Sequence, residues 1–254
     1  DKEFSNSINM SGVNSINWAR IIAQAVYYFY TYFQIRDDRL VNFSVPTGNF
    51  GDVYAGYLSK KMGLPINKLI VATNQNDILH RAITNGKYEA ETVIETNSPS
   101  MDIQIASNFE RLIYDLNDFN DVETGNVMKK IKEEGKYIIP KDKLQKISKD
   151  FLSENMSETE VLNIIKDVHN RYNVILDPHS AIGFGALKKI NLEGNNIVLA
   201  TAHPCKFPDA IDKSIGIKPS LPNELQYIMN EKENYDIISN NINETQKYIK
   251  EKLQ

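Results

Sequence analysis

Cysteine is almost missing from this 254-residue sequence: Cys205 stands alone, which excludes an internal disulfide and fits a reducing compartment, the cytoplasm. Only His203 lies near it, which argues against a zinc site of the Cys/His type, and the four histidines lack metal-ligand spacing, so no metal is expected. No apolar run reaches the length of a membrane span. The most apolar stretch, around Ile21 to Phe33, is interrupted by Gln24 and several tyrosines. Charge of one sign is not in excess either. With 29 basic and 33 acidic side chains the net charge is −4, which provides no field for nucleic acid or an anionic membrane. An anionic substrate would therefore need a local positive pocket. The first residues, Asp1-Lys2-Glu3-Phe4, carry neither an initiator methionine nor a signal-peptide pattern and read as the interior of a longer chain.

What is present suits a folded α/β protein. Hydrophobic residues make up 41% and charged residues 24%. The polar start, 1–13, reads as a loop or as the end of a missing element. A long helix is expected from Asn14 to about Ile35, with Ile21, Ile22, Ala25, Val26, Phe29 and Phe33 as its apolar stripe and the tyrosines at 27, 28, 30 and 32 packing in the core. Two strand–loop–helix units follow: a strand at 40–45 with a helix at 52–62, then a buried strand at 69–73 with a helix ending at Asn85-Gly86. Two such units in succession predict a doubly wound, mostly parallel sheet flanked by helices. Residues 118–172 read as a helical insert, with helices at 121–134, 141–152 and 158–170. Val174-Ile175-Leu176 reads as a brief strand, 196–200 as a buried strand, and 221–254 as a helical tail. The whole, 1–254, is expected to be a single α/β domain with no internal repeat.

The candidate chemistry sits at strand ends, where open α/β sheets bind ligands. In Val45-Pro46-Thr47-Gly48-Asn49-Phe50-Gly51-Asp52, a strand, a glycine-bearing turn and a helix start make a seat for an anion, because glycines admit close approach and the first helical N–H groups are free. The same residues also suit an ordinary βα turn with Asp52 as its cap, and spacing alone leaves both readings open. The turn is neither a Walker pattern nor a G-x-G-x-x-G fingerprint. Asn14, Ser15 and Arg20 at one helix start could hold a second anion. Spacing favours a plain cap with a surface ion pair there. His203 reads equally as a general base or as a His-Pro turn, while His80, His169 and His179 receive no catalytic role.

Taken together, Asn14-Ser15-Ile16-Asn17-Trp18-Ala19-Arg20, Ser44 to Asp52, Ala72-Thr73-Asn74, Ser100-Met101-Asp102-Ile103 with Ser107-Asn108-Phe109-Glu110-Arg111, and Thr201-Ala202-His203-Pro204-Cys205-Lys206-Phe207 closely resemble the threonine synthase family, in the same order. The resemblance spans about 14 to 207. It implies a fold-type-II pyridoxal-phosphate enzyme that converts O-phosphohomoserine and water to threonine and phosphate. By that resemblance Gly48, Asn49, Phe50, Gly51 and Asp52 hold the cofactor phosphate, Thr201 faces the pyridine nitrogen, and Asn14, Ser15 and Arg20 grip the substrate phosphate. The family's Schiff-base lysine, in a Phe-Lys-Asp setting upstream of the first block, has no counterpart here. The chain is thus expected to be a C-terminal portion that is inactive alone, in a monomer or homodimer. Two alternatives share these features: a related fold-type-II lyase such as a serine/threonine dehydratase, and a non-catalytic homologue acting as a binding protein.

Overall fold

A computed structural model describes residues 1–12, 14–35 and 37–253. In chain order the elements are α1 (Lys2–Ser7), α2 (Trp18–Gln34), β1 (Val41–Pro46), α3 (Gly51–Lys61), β2 (Ile66–Thr73), α4 (Ile78–Asn85) and β3 (Lys87–Glu89). Then come α5 (Phe109–Leu116), α6 (Asp121–Glu134), β4 (Lys136–Ile138), α7 (Lys141–Asp150) and β5 (Phe151–Asn155). The order closes with α8 (Glu158–Tyr172), α9 (Pro178–Ile190), β6 (Asn195–Val198), α10 (Pro208–Ile215) and α11 (Ile242–Lys252), with short 3₁₀ turns between some of them.

These residues divide into two compact units, where the sequence reads as a single domain. One joins Asp1–Asn14 to Ser220–Gln254. Its first segment opens with a helix, Lys2–Ser7, where a loop is one of the two readings, because the Asp1 side chain accepts from the Phe4 N–H and caps α1. Within that unit, Gln246 donates to Asp1 and the Lys250 ammonium lies 5.6 Å from the centre of the Phe4 ring. Contact between segments so far apart in sequence leaves no local signal. Of the stretches read as the leading loop and the tail, Val13 and Gln254 lie outside the described residues.

The larger unit, Ser15–Pro219, is built on a four-stranded sheet in the order β5-β2-β1-β6, every pair parallel. Its two faces bury separate cores. On β2, Leu69 and Val71 join Tyr28, Phe43, Val45, Phe50, Val53 and Phe151 on one side. Ile70 and Ala72 meet Ala181, Ile182 and Ala186 of α9 on the other. This is the period of two expected of a strand covered on both faces. All of β1 is buried, although its Val41-Phe43-Val45 alternation reads as half-buried. Its polar residues face inward and are satisfied: Ser44 Oγ donates to the Gly183 carbonyl at 2.6 Å, and Asn42 donates to Glu193 and Asn196.

Several expected elements differ. The stretch read as a helical insert supplies β5, which pairs with β2 from Leu69↔Phe151 to Thr73↔Asn155. The amphipathic period of α7 runs straight up to Phe151 and conceals a five-residue strand. A small antiparallel ribbon of β3 and β4 was not foreseen. Val174-Ile175-Leu176 is not a strand, and β6 is a half-exposed edge strand, since no described strand covers its outer side. On α2 the buried residues are Ile21, Ala25 and Tyr28. Ile22, Val26, Tyr27, Tyr30 and Phe33 are exposed, Phe33 by 70%. Half of the stripe and half of the tyrosine set expected in the core are therefore outside it, while Phe29 and Tyr32 pack against it half-buried. Among the described residues no helix is long and apolar enough to cross a membrane, and no cluster of His, Cys, Asp or Glu is arranged to hold a metal.

Candidate functional site

Because the four strands run parallel, their carboxyl ends meet along one edge, and β1 and β6 open there onto a cavity of about 270 Å³. Gly48, Asn49, Phe50, Gly51 and Asp52 line it, together with Ser15, Arg20, Gln24, Ser100 and Thr201. A second cavity of about 520 Å³, running beside β6, shares Gln24, Asp52 and Thr201. Thus the structure brings together every residue expected at the cofactor phosphate and two of the three expected at the substrate phosphate. Asn14 is counted with the other compact unit.

The loop is built for close approach, though not in the way its glycines suggest. A Cβ on Gly48 would lie 2.5 Å from the Ser100 carbonyl oxygen, so only glycine fits. A Cβ on Gly51 would meet nothing nearer than 3.3 Å. The left-handed backbone falls on Phe50, with φ of 64°, a conformation that costs a bulky residue about 1 kcal/mol or more. Burial offsets that cost: the Phe50 ring is fully enclosed, 5.3 Å from Phe109 and 5.8 Å from Phe151 between ring centres. Phe50 rather than Asp52 is the cap of α3, and no side chain caps that helix. Among the described residues the N–H groups of Gly48, Asn49, Phe50 and Gly51 have no protein acceptor. Four backbone donors without protein acceptors, on residues that line a cavity at a helix N-terminus, fit the phosphate of a cofactor or substrate.

Asp52 has a different place from the expected cap. The Tyr28 hydroxyl donates to its carbonyl at 2.8 Å and to its carboxylate at 3.2 Å. Burial raises the Asp52 pKa to about 6 against the partial relief from that hydrogen bond, and burial beside Asp52 holds the Tyr28 phenol well above its usual range. Arg20 is exposed, and no carboxylate pairs with it among the described residues, contrary to the ion pair that spacing favours. Its cation is free for an anion.

Thr201 lies beyond the end of β6 with its side chain exposed. Its N–H donates to Ser180 Oγ at 3.2 Å, and Ser180 in turn donates to the Asp177 carboxylate. Burial raises the Asp177 pKa, but hydrogen bonds from His179 and Ser180 outweigh it and keep the carboxyl ionised below its ordinary range. The start of α9 thereby anchors the loop that carries Thr201. His203 accepts from the Cys205 N–H, so it serves its own His-Pro turn. The third strand-end cluster, Asn74 and Asn76, belongs to a buried network in which both donate to Asp102 at 2.7 and 2.9 Å. That network holds the 96–102 segment whose Ser100 carbonyl abuts Gly48.

Residue-by-residue reading passed over Ser107, Asn108, Asp177 and Ser180 as parts of the site. Asn108 is fully buried, and its side-chain amide donates to the carbonyls of both Ser15 and Asn49, at 2.8 and 3.1 Å. An asparagine just before an amphipathic helix has the signature of a cap, yet Asn108 makes no side-chain cap bond. Only its place inside the Ser107-Asn108-Phe109-Glu110-Arg111 block marked it.

Comparison with known proteins identifies the fold. The structure of pyridoxal-phosphate-bound threonine synthase from Brucella melitensis superposes with a TM-score of 0.94 at 43% identity, over 99% of this chain and 55% of that one. The threonine synthase of Pseudomonas aeruginosa is 41% identical over 253 residues, which are 98% of this chain and 54% of its own length. That of Saccharomyces cerevisiae is 44% identical over 255 residues, 89% of this chain and 50% of its own. The family described as "Threonine synthase, C-terminal" matches residues 180–249. The parallel sheet, its flanking helices and the cradle at its carboxyl edge are the α/β architecture of fold-type-II pyridoxal-phosphate enzymes. Within that class the chain belongs to the threonine synthase family. It spans about half the length of the curated relatives it matches.

Proposed function

We propose that this chain is the cofactor-phosphate portion of an enzyme converting O-phosphohomoserine and water to threonine and phosphate, in the cytoplasm, with pyridoxal phosphate as its cofactor. The observation that carries the reading is the row of N–H groups from Gly48 to Gly51 with no acceptor among the described residues, on residues that line a cavity with Arg20 and Thr201. Those backbone donors would hold the cofactor phosphate without a formal positive charge, with the dipole of α3 behind them. Asp52 closes the end of the seat, turned toward Tyr28. The Thr201 hydroxyl is neutral, so it would meet the pyridine nitrogen without forcing its protonation. Asn14, Ser15 and Arg20 would take the substrate phosphate, Arg20 through its guanidinium fork. When bound, the cofactor supplies the electron sink, and the protein supplies orientation and electrostatics.

The lysine that would carry the cofactor is not in this chain's matching blocks, so turnover is a property of the longer protein. The test is made on that protein, the one carrying both this chain and a lysine in a Phe-Lys-Asp setting. O-phosphohomoserine should yield threonine and inorganic phosphate in equal amounts, and Arg20→Ala should raise KM at least tenfold with a smaller change in kcat. Release of ammonia from serine or threonine with no use of O-phosphohomoserine would make it a dehydratase instead. No turnover of either kind would make it a binding protein.

A further inference from the structure

The hydroxyl of Ser107 links two residues that line the cavity, Ser15 and Asn49. It donates to Asn49 Oδ1 at 3.2 Å and lies 3.3 Å from Ser15 Oγ. Asn49 belongs to the cradle, and Ser15 lines the same cavity from the start of α2. Asn108 ties together the backbones around them. The Asn108 amide bonds the carbonyls of Ser15 and Asn49, and the Asn108 N–H donates to Asn49 at 3.0 Å. What remains free to move is the direction of two hydroxyl protons.

A serine hydroxyl has one proton to donate. With the Ser107 proton on Asn49, the Ser15 proton is directed to Ser107. An anion at Ser15 draws that proton onto itself, and Ser15 Oγ then becomes an acceptor facing Ser107. The Ser107 proton is now shared between Ser15 and Asn49, so the hydrogen bonding of a cradle residue depends on whether the other subsite is filled. We propose that Ser107 is a positioning residue that couples the substrate-phosphate subsite to the cofactor-phosphate cradle through this chain of hydroxyls. The proposal rests on the assignment of Ser15 and Arg20 to one anion and of the Gly48–Gly51 donors to the other.

The test uses the cofactor-loaded full-length enzyme, in which the cradle is already filled, and inorganic phosphate as the probe of the second subsite. Phosphorus NMR follows the resonance of the bound cofactor during the titration. In the unaltered enzyme phosphate should move that resonance. In Ser107→Ala the movement should disappear and phosphate should bind about fivefold more weakly, the scale of one hydrogen bond. Ser107→Thr, which keeps the hydroxyl, should restore both. A purely structural role would leave the coupled movement in place in any variant that folds. An unchanged response in Ser107→Ala, or no response in the unaltered enzyme, overturns the coupling. Arg20→Ala separates the two claims: undiminished phosphate binding in that variant overturns the subsite assignment itself, whatever Ser107 does.

Discussion

Gly48 and Phe50 divide between them the work that a glycine-rich loop is expected to do. Gly48 provides room, since any side chain there meets the Ser100 carbonyl. Phe50 provides the left-handed turn, held by its enclosed ring. Replacing Gly48 by alanine forces the loop or the 96–102 segment to shift, an overpacking cost of about 1–3 kcal/mol. Cofactor affinity, followed by absorbance during dialysis, should fall at least tenfold. Asp52 carries a prediction of opposite sign. Its pKa is about 6 in the fold against a usual 3.8, so the native state binds the proton more tightly than the unfolded chain. Its ionisation therefore costs stability, fully at pH above 6 and not at all below about pH 4, a span of about 3 kcal/mol. Asp52→Asn, which still accepts from Tyr28, should raise the melting temperature of the cofactor-free protein at pH 8. The gain should vanish as the pH falls toward 4.

At the scale of elements, α9 sets the geometry of the edge where ligands bind. It lies so close to β1 and β6 that a Cβ on Gly183 would be 2.9 Å from Val198 and 3.1 Å from Pro46. Its first turn holds the Thr201 loop through Ser180. Gly183→Ala should lower stability by about 1–3 kcal/mol, read from the midpoint of urea unfolding. Gly125 on α6 is the contrast: nothing lies within 4 Å of an added Cβ. Gly125→Ala should stabilise by about 0.5–1 kcal/mol, because alanine has less backbone entropy to lose in a helix. The α2 helix shows how far a hydrophobic pattern can be read. It is apolar on more than one face, so periodicity alone could not say which stripe the sheet would cover. Tyr28, with a hydroxyl that must find an acceptor, went inside because Asp52 supplies two.

For the whole molecule, the decisive fact is that a cavity rich in donors for anions contains no lysine among its lining residues. This chain on its own is therefore predicted to release no phosphate from O-phosphohomoserine even with excess pyridoxal phosphate. A colorimetric phosphate assay on the purified chain decides the point, and steady release above the buffer background would refute it. The proteins it matches are about twice as long, and the lysine setting expected from the family resemblance lies ahead of the first matching block.

The sequence alone was enough for the parallel α/β class, because strands buried on both faces and separated by helices allow few other arrangements. It was also enough for the family, and for the strand, turn and helix start at 46–52, which are contiguous; whether that turn seats an anion is left open by spacing alone. It could not reveal β5, whose five residues continue the apolar spacing of α7, nor the pairing of the two termini in one unit. Nor could it show that Ser107, Asn108 and Ser180 bond residues of the candidate site. Ser107 lies 92 residues from Ser15 and 58 from Asn49, and Ser180 lies 21 from Thr201. A hydrogen bond has directional reach of only about 3 Å, so partners so far apart in the chain are chosen by the packing of the sheet and not by any local pattern.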